Sequence, residues 1–549
     1  METLLTRELE EKYQHIWPNK TIIDYLKDAS ARFPDKVAIR DHRSEYTFAN
    51  LAKTVDTMAM GLQQLGVGKG DVVSFQLPNW NEFVLLHFAV TRIGAISNPL
   101  IPIYRDKEIS YMVKMADSKV FVIPDQFAGF DFPEMVERLR PNWPQLEHVL
   151  VVGERIPPGM KAFTTLLEVD ATEEERAELD RIELHPNDVT ELVFTSGTTG
   201  DPKGVMHTHN SLCVSTEYFI ERLNITPEDV VFMASTFAHQ TGFLYGARIQ
   251  VHAGCTAIYQ DIWNPVEFIR HIEQDGVSIT MAATPYLYDA VHVEGIENRD
   301  LSSFRVFCTA GAPVPPALVR EAAEKLPCRI LAGWGQSENG LVTLTFLDDS
   351  VEKLTETSGA PCKGMELLVV HPDGTACPAG VEGDLWCRGP AMFVGYLKRL
   401  DYTREQHVGD WFKTGDRAVM DEDGYIRLAG RSSDIIRHQG REVPVTLLEN
   451  LLHEHPDIAV AQVVAMPGRD ESEGERACAF VSQKAGTTPF TIDKMREFLR
   501  GRGVSQQDWP ERLEVVTDFP RTPSGKVQKY VLRERLQQEF KSSATHPHA

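Results

Sequence analysis

The run Thr195-Ser196-Gly197-Thr198-Thr199-Gly200-Asp201-Pro202-Lys203-Gly204 gathers groups suited to holding phosphate. Its glycines let backbone N–H groups turn inward and approach phosphate oxygens closely. Thr195, Ser196, Thr198 and Thr199 add hydroxyl donors, and Lys203 adds a point charge. The GxxxxGK[ST] pattern of a Walker loop cannot be laid on it. A flexible Ser/Gly surface loop is the bland alternative. A lysine behind Asp-Pro and two paired Gly/Thr units argue against that alternative.

Other residues carry chemistry less decisively when taken singly. Glu338 suits a hard cation, which takes carboxylate oxygen, or a helix N-terminus, where the dipole favours an acid. Trp334 offers a flat aromatic face or simply fills a core. Asp416 presents two acceptor oxygens, yet a turn after Gly415 also accounts for it. Lys526 follows Gly525 and reads by itself as a solvated lysine in a basic tail with Lys529, Arg533 and Arg535. His239 reads as a core histidine bonded to backbone. Two hydrolytic patterns fail: Gly335-Gln336-Ser337-Glu338-Asn339 misses GxSxG at its last position, and His453-Glu454-His455 lacks the i,i+4 histidines of a zinc protease.

The elements that must position these residues follow from periodicity. Strand-like segments at Asp71–Gln76, Val120–Ile123, Glu191–Phe194, Val277–Met281 and Arg305–Cys308 alternate with helical ones at Asn81–Arg92 and Pro315–Lys325. This alternation predicts α/β layers around largely parallel sheets. From about Glu366 the chain is richer in strands. After Gly430 helices at Val445–His453 and Ile492–Leu499 and strands at Ala459–Ala465, Ala477–Val481 and Leu513–Val516 predict a compact α+β unit. At 549 residues the chain exceeds what one core supports, so at least two domains are expected. A net charge of −23 disfavours nucleic acid and anionic membrane as general partners. Eight cysteines without CxxC pairing predict free thiols, and neither a secretion signal nor a spanning apolar run is visible; a cytoplasmic protein is expected.

The loop at Thr195–Gly204 closely resembles the phosphate-loop signature of the adenylate-forming superfamily of acyl-CoA synthetases, peptide-synthetase adenylation domains and luciferases. Five further segments resemble that superfamily's motifs in the same order: Gly311-Ala312-Pro313, Gly333-Trp334-Gly335-Gln336-Ser337-Glu338, Trp411 to Asp416, Gly430 to Asp434, and Pro523 to Lys526. The resemblance implies ATP contacts from Thr195 to Gly200, Lys203, the Gly311–Pro313 turn, Gly333, Trp334, Gly335, Ser337, Asp416 at the ribose and Arg431. It implies Mg²⁺ on Glu338 and a catalytic role for Lys526, which swings in during adenylation. His239, with Phe237, Gly242, Phe243, Tyr245 and Leu341, would line the acid site, and Gln439-Gly440 the coenzyme A channel. Asp434 would be the hinge.

Three departures qualify the resemblance. Ser433 stands where a lysine is usual, Gln439-Gly440-Arg441 where Gly-Gly-Glu is usual, and Ser337 where Thr is usual. No acidic residue occupies the His239-Gln240-Thr241 segment, which disfavours amino acid substrates. The expectation is a large α/β N-terminal domain, residues 1–432, and a small mobile α+β domain, residues 433–549. The implied reaction joins a short/medium-chain or alicyclic carboxylic acid to coenzyme A through an acyl-AMP, using ATP and Mg²⁺. The alternatives are an aryl-acid ligase that delivers its adenylate to a carrier protein, and a nucleotide-binding protein without catalysis. A second copy of the chain remains an open partner.

Overall fold

A computed structural model describes residues 1–169, 172–195, 202–310, 316–468, 474–484, 486–521 and 527–544. Ser196 to Gly200, Gly311 to Pro313 and Lys526 lie outside the described residues.

Seven strands carry the candidate site: β1 (Val189–Thr195), β2 (Lys203–Thr208), β3 (Arg329–Gln336), β4 (Gly340–Leu344), β5 (Gly395–Tyr396), β6 (Trp411–Met420) and β7 (Ile426–Arg431). They belong to three sheets. β5, β2 and β1 are neighbours at one edge of an eight-stranded sheet whose other strands run mostly parallel. β3 and β4 lie near one edge of a nine-stranded sheet with a parallel centre. β6 and β7 belong to a separate antiparallel sheet. The predicted helix over Asn81–Arg92 forms with those bounds, and apart from Glu82 its residues are buried. A helix buried on nearly every side belongs inside the layers rather than on the surface. Its one cation, Arg92, is neutralised there by Asp56 at 2.8 Å.

The small C-terminal unit shows period-two packing. On its three-stranded sheet, Ala461, Val463, Ala477, Ala479 and Val481 face one apolar cluster, while Val464, Met466, Cys478 and Phe480 face another. Successive side chains on a strand point to opposite faces, so each face needs its own cover. Helices Val445–His453 and Ile492–Gly501 contribute Leu448, Leu452, Met495 and Leu499 to the first cluster; Lys529–Ala544 contributes Leu532 and Leu536 to the second. The chain thus has the expected large α/β domain and small α+β domain. Its eight cysteines are free thiols, and no described helix is long and apolar enough to cross a membrane.

Candidate active site

β1 and β2 form an antiparallel hairpin that locks the two ends of the phosphate-loop segment in register, Thr195 opposite Lys203. The Thr195 hydroxyl is buried and has no hydrogen-bond partner among the described residues. Such a donor needs a partner from outside the strand pair. Lys203 donates to the Tyr402 hydroxyl at 3.0 Å, and its ammonium lies 5.2 and 4.9 Å from the ring centroids of Tyr396 and Tyr402.

The Gly333–Glu338 motif is the end of β3 and its turn into β4. The glycine at 335 is required by close approach: a Cβ there would lie 1.7 Å from the Gly340 carbonyl oxygen. The turn backbone is pinned from β2, where His207 Nε2 donates to the Ser337 carbonyl at 2.7 Å. Burial lowers the His207 imidazole to about 4, so it stays neutral at physiological pH and keeps that single N–H. Glu338 is held twice: its carbonyl accepts from Phe393 N–H at 2.7 Å, and its Oε1 accepts from the Tyr396 hydroxyl at 2.8 Å. Burial, then the Glu338 charge, push the Tyr396 phenol well above its ordinary range, so it remains the donor.

Asp416 and Arg431 are cross-strand partners on β6 and β7, and Arg431 Nε lies 2.6 Å from Asp416 Oδ1. The second oxygen, Oδ2, accepts from the Trp334 indole N–H at 2.9 Å and from the Gln336 amide at 3.0 Å. A carboxylate has about four lone-pair sites. Three are taken here, and the remaining one is on Oδ1. A ribose that uses both hydroxyls must therefore displace one of these three donors. Trp334, only 3% exposed, offers its N–H to this carboxylate; a buried indole needs such a partner.

Among the predicted acid-site residues, Phe237, Phe243, Tyr245 and Leu341 are buried in one apolar cluster. Phe237 lies 4.7 Å from Tyr259 and 5.1 Å from Phe83, Phe243 lies 4.6 Å from His87, and Tyr245 lies 4.6 Å from Phe219 (ring centroids). Leu341 joins through its N–H, which shares Ser215 Oγ with the Tyr245 hydroxyl. Phe243–Ala247 is a π-helical turn, a local widening that recurs at functional sites. Gly242 admits the close approach of the Thr236 carbonyl, 2.2 Å from where a Cβ would stand. His239 is half-buried and caps the short helix Gln240–Gly242, its Nδ1 accepting from Thr241 N–H at 3.4 Å. By contrast, Gln439 and Gly440, both at positive φ, form the exposed tip of a two-residue hairpin turn between His438 and Arg441. No hydrogen bond among the described residues joins them to the Asp416 group.

Beneath these groups Gln240 Nε2 donates to Glu191 Oε2 at 2.9 Å, linking the acid-site segment to the strand that enters the phosphate loop. Burial pushes the Glu191 carboxyl up to about 8, against weaker opposing pulls from Gln240 and Arg248. Because the folded value exceeds the unfolded one, near 4.5, the native state holds the extra proton between them. This stabilisation is complete below about 4.5 and is lost as pH rises through about 8. Glu191→Gln is expected to flatten the decline in melting temperature between pH 5 and pH 9. An unchanged pH profile would show that Glu191 titrates normally.

Sequence reasoning missed Tyr396, Tyr402, His207, Gln336 and Glu191. Gln336 occupies an unspecified position inside a recognised motif, and Glu191 and His207 flank the loop in plain sight. Tyr396 and Tyr402 carry no local signal.

Comparison with known proteins gives the family. A family model described as AMP-binding enzyme matches residues 26–397, and one described as AMP-binding enzyme C-terminal domain matches residues 447–526. A medium-chain fatty-acid–CoA ligase of Escherichia coli (strain K12) is 32% identical over 532 residues, covering 96% of this chain and 93% of the relative. A 2,3-dihydroxybenzoate-AMP ligase of Bacillus subtilis (strain 168) is 30% identical over 538 residues, covering 97% of each. A solved anthranilate CoA ligase in complex with anthranoyl-AMP shares the fold, with a TM-score of 0.84 at 24% identity over 95% of this chain and 98% of that one. With a family model over most of its length and relatives matched almost end to end, the chain belongs to the AMP-binding enzyme family.

Proposed function

We propose that the protein is an acid–CoA ligase that activates a short/medium-chain or alicyclic carboxylic acid as its acyl-AMP and transfers the acyl group to coenzyme A. The observation that carries the reading is a continuous line of contacts across three sheets: Lys203 to Tyr396, Tyr396 to Glu338, then through the β3 turn to Gln336, Asp416 and Arg431. Such a line suits a nucleotide laid from phosphates to ribose. Attack of the acid's carboxylate on the α-phosphate breaks the bond to pyrophosphate, so catalysis is mainly positioning and charge stabilisation. Lys203 and the loop from Thr195 to Gly200 hold phosphate oxygens, with the Gly311–Pro313 turn, Gly333 and Trp334 on the adenine side and Asp416 at the ribose. Glu338 suits Mg²⁺ carried on the nucleotide: it is one carboxylate, and the described residues contain no cluster of three ligating side chains that would cage a metal. When bound, Mg²⁺ offsets negative charge on the phosphate oxygens.

Phe237, Phe243, Tyr245 and Leu341 make the acid's surroundings apolar, with His239 at their edge. Incubation with ATP, coenzyme A and a panel of acids, recording pyrophosphate, AMP and thioester, tests the whole reading. Apolar acids are expected to turn over and amino acids or dicarboxylates of similar size to fail, because an apolar lining penalises the second charge. The likeness to the dihydroxybenzoate ligase supports a second reading. Pyrophosphate release with aryl acids but no thioester to coenzyme A would favour it.

Two contacts support a domain boundary at 432/433. Ser432 Oγ donates to Asp384 of the large domain at 2.7 Å, whereas Asp434 pairs with Arg533 of the small one. The pivot is assigned to the bonds between them. Asp434→Pro fixes φ near about −65° and disfavours helical backbone at Ser433. It is expected to depress thioester yield more than pyrophosphate release in one single-turnover experiment. Wild-type thioester formation would move the pivot elsewhere.

A further inference from the structure

Lys203 and Glu338 carry opposite charges on either side of the Tyr396 side chain. Its ring centroid is 5.2 Å from Lys203 Nζ, and its hydroxyl is 2.8 Å from Glu338 Oε1. Two flexible, oppositely charged side chains that flank one ring attract each other, the more so as solvent is excluded. Among the described residues they form no ion pair. Each is occupied by a tyrosine hydroxyl instead: Glu338 by that of Tyr396, and Lys203 by that of Tyr402 at 3.0 Å. The two rings pack together at 5.5 Å between centroids, and Tyr396 also packs on Phe393 at 4.8 Å. Tyr396 is fixed from behind as well, because β5 pairs with β2 and sets Tyr396 opposite Val205, two residues from Lys203. Thr403 Oγ1 accepts the Tyr396 N–H at 3.0 Å, tying the strand to the helix Leu400–Glu405 that bears Tyr402.

We propose that Tyr396 and Tyr402 are positioning residues that keep Lys203 and Glu338 from pairing with each other, so that both charges face the incoming nucleotide and its metal. A hydroxyl can do this where a charged group cannot. It satisfies one oxygen of Glu338 without cancelling the carboxylate's charge, and it accepts from Lys203 without cancelling the ammonium's. The inference rests on reading Lys203 as a phosphate ligand and Glu338 as a metal ligand.

The test is calorimetric binding of ATP at graded Mg²⁺ concentrations, without acid, so that chemistry does not enter. Phenylalanine keeps the ring packing and removes only the hydroxyl. Tyr396→Phe should raise the Mg²⁺ concentration for half-maximal tight binding about tenfold, the scale of a lost hydrogen bond to a charged group. Tyr402→Phe should weaken ATP binding with a smaller change in Mg²⁺ dependence. The decisive variant is Tyr396→Phe combined with Lys203→Met. If Lys203 captures Glu338 when the hydroxyl is absent, removing the ammonium restores the Mg²⁺ dependence of Lys203→Met alone. A Tyr396→Phe effect that persists undiminished in the Lys203→Met background overturns the proposal, as does no effect in either. Glu338→Gln is the control for the underlying reading. If it leaves Mg²⁺ dependence unchanged, the metal assignment fails; if it alters that dependence while Tyr396→Phe does not, only the tyrosine proposal fails.

Discussion

Lys526→Ala is expected to lower pyrophosphate release with apolar acids by on the order of 10²–10³-fold while ATP affinity and melting temperature stay near wild type. The charge that develops as the acid's carboxylate attacks the α-phosphate needs a cation there in the transition state. Lys203 comes from the phosphate loop, and Arg431 is engaged with Asp416 at 2.6 Å. The C-terminal family model ends at residue 526, which keeps this lysine within the matched segment. A single charge placed for the transition state alone affects rate, not ground-state binding. Pyrophosphate exchange at near wild-type speed in the mutant would refute the role. An equal loss in ATP binding would recast Lys526 as an ordinary ligand.

The second large effect is expected from Asp416→Ala, which should weaken ATP binding on the order of 10²-fold, the scale of losing two hydrogen bonds to a charged acceptor. The same change removes the acceptor of three N–H groups: Arg431 Nε–H, the Trp334 indole N–H and one N–H of the Gln336 amide, which keeps its bond to the Thr414 carbonyl. The buried Trp334 N–H left without an acceptor costs about 1–3 kcal/mol, so the melting temperature should fall too. Asp416→Asn separates the two consequences. It keeps one acceptor oxygen for Trp334 and Gln336 but points an NH₂ group at Arg431, so stability should partly recover while ATP affinity does not. Calorimetry with ATP and with AMP, beside a thermal melt, reads both. A stability loss with unchanged affinity would make Asp416 purely structural.

How much of this was legible beforehand depended on the range over which each residue's neighbours are set. Strand and helix bounds were largely visible because they follow from local periodicity: Asn81–Arg92 and Val445–His453 form as read. The Pro315 start predicted for one helix falls next to Pro316, where the described helix begins. The cross-strand pair Asp416–Arg431 was legible as two motif residues, but not as an ion pair. Its register depends on a bulge between Arg417 and Ala418 that periodicity does not reveal.

By itself the sequence determined the family, through six short motifs in fixed order, and the α/β-then-α+β division, through periodicity and composition. Those are properties of residue order, and residue order is all they need. What only the tertiary structure decided is which side chains outside the motifs hold the motif residues in place. Tyr396 meets Glu338 across 58 positions of chain, Tyr402 meets Lys203 across 199, and Gln240 meets Glu191 across 49. A tyrosine or glutamine has no sequence mark that distinguishes a strut from core filling. Its role is fixed when sheet edges bring a hydroxyl or amide within about 3 Å of an ionisable side chain.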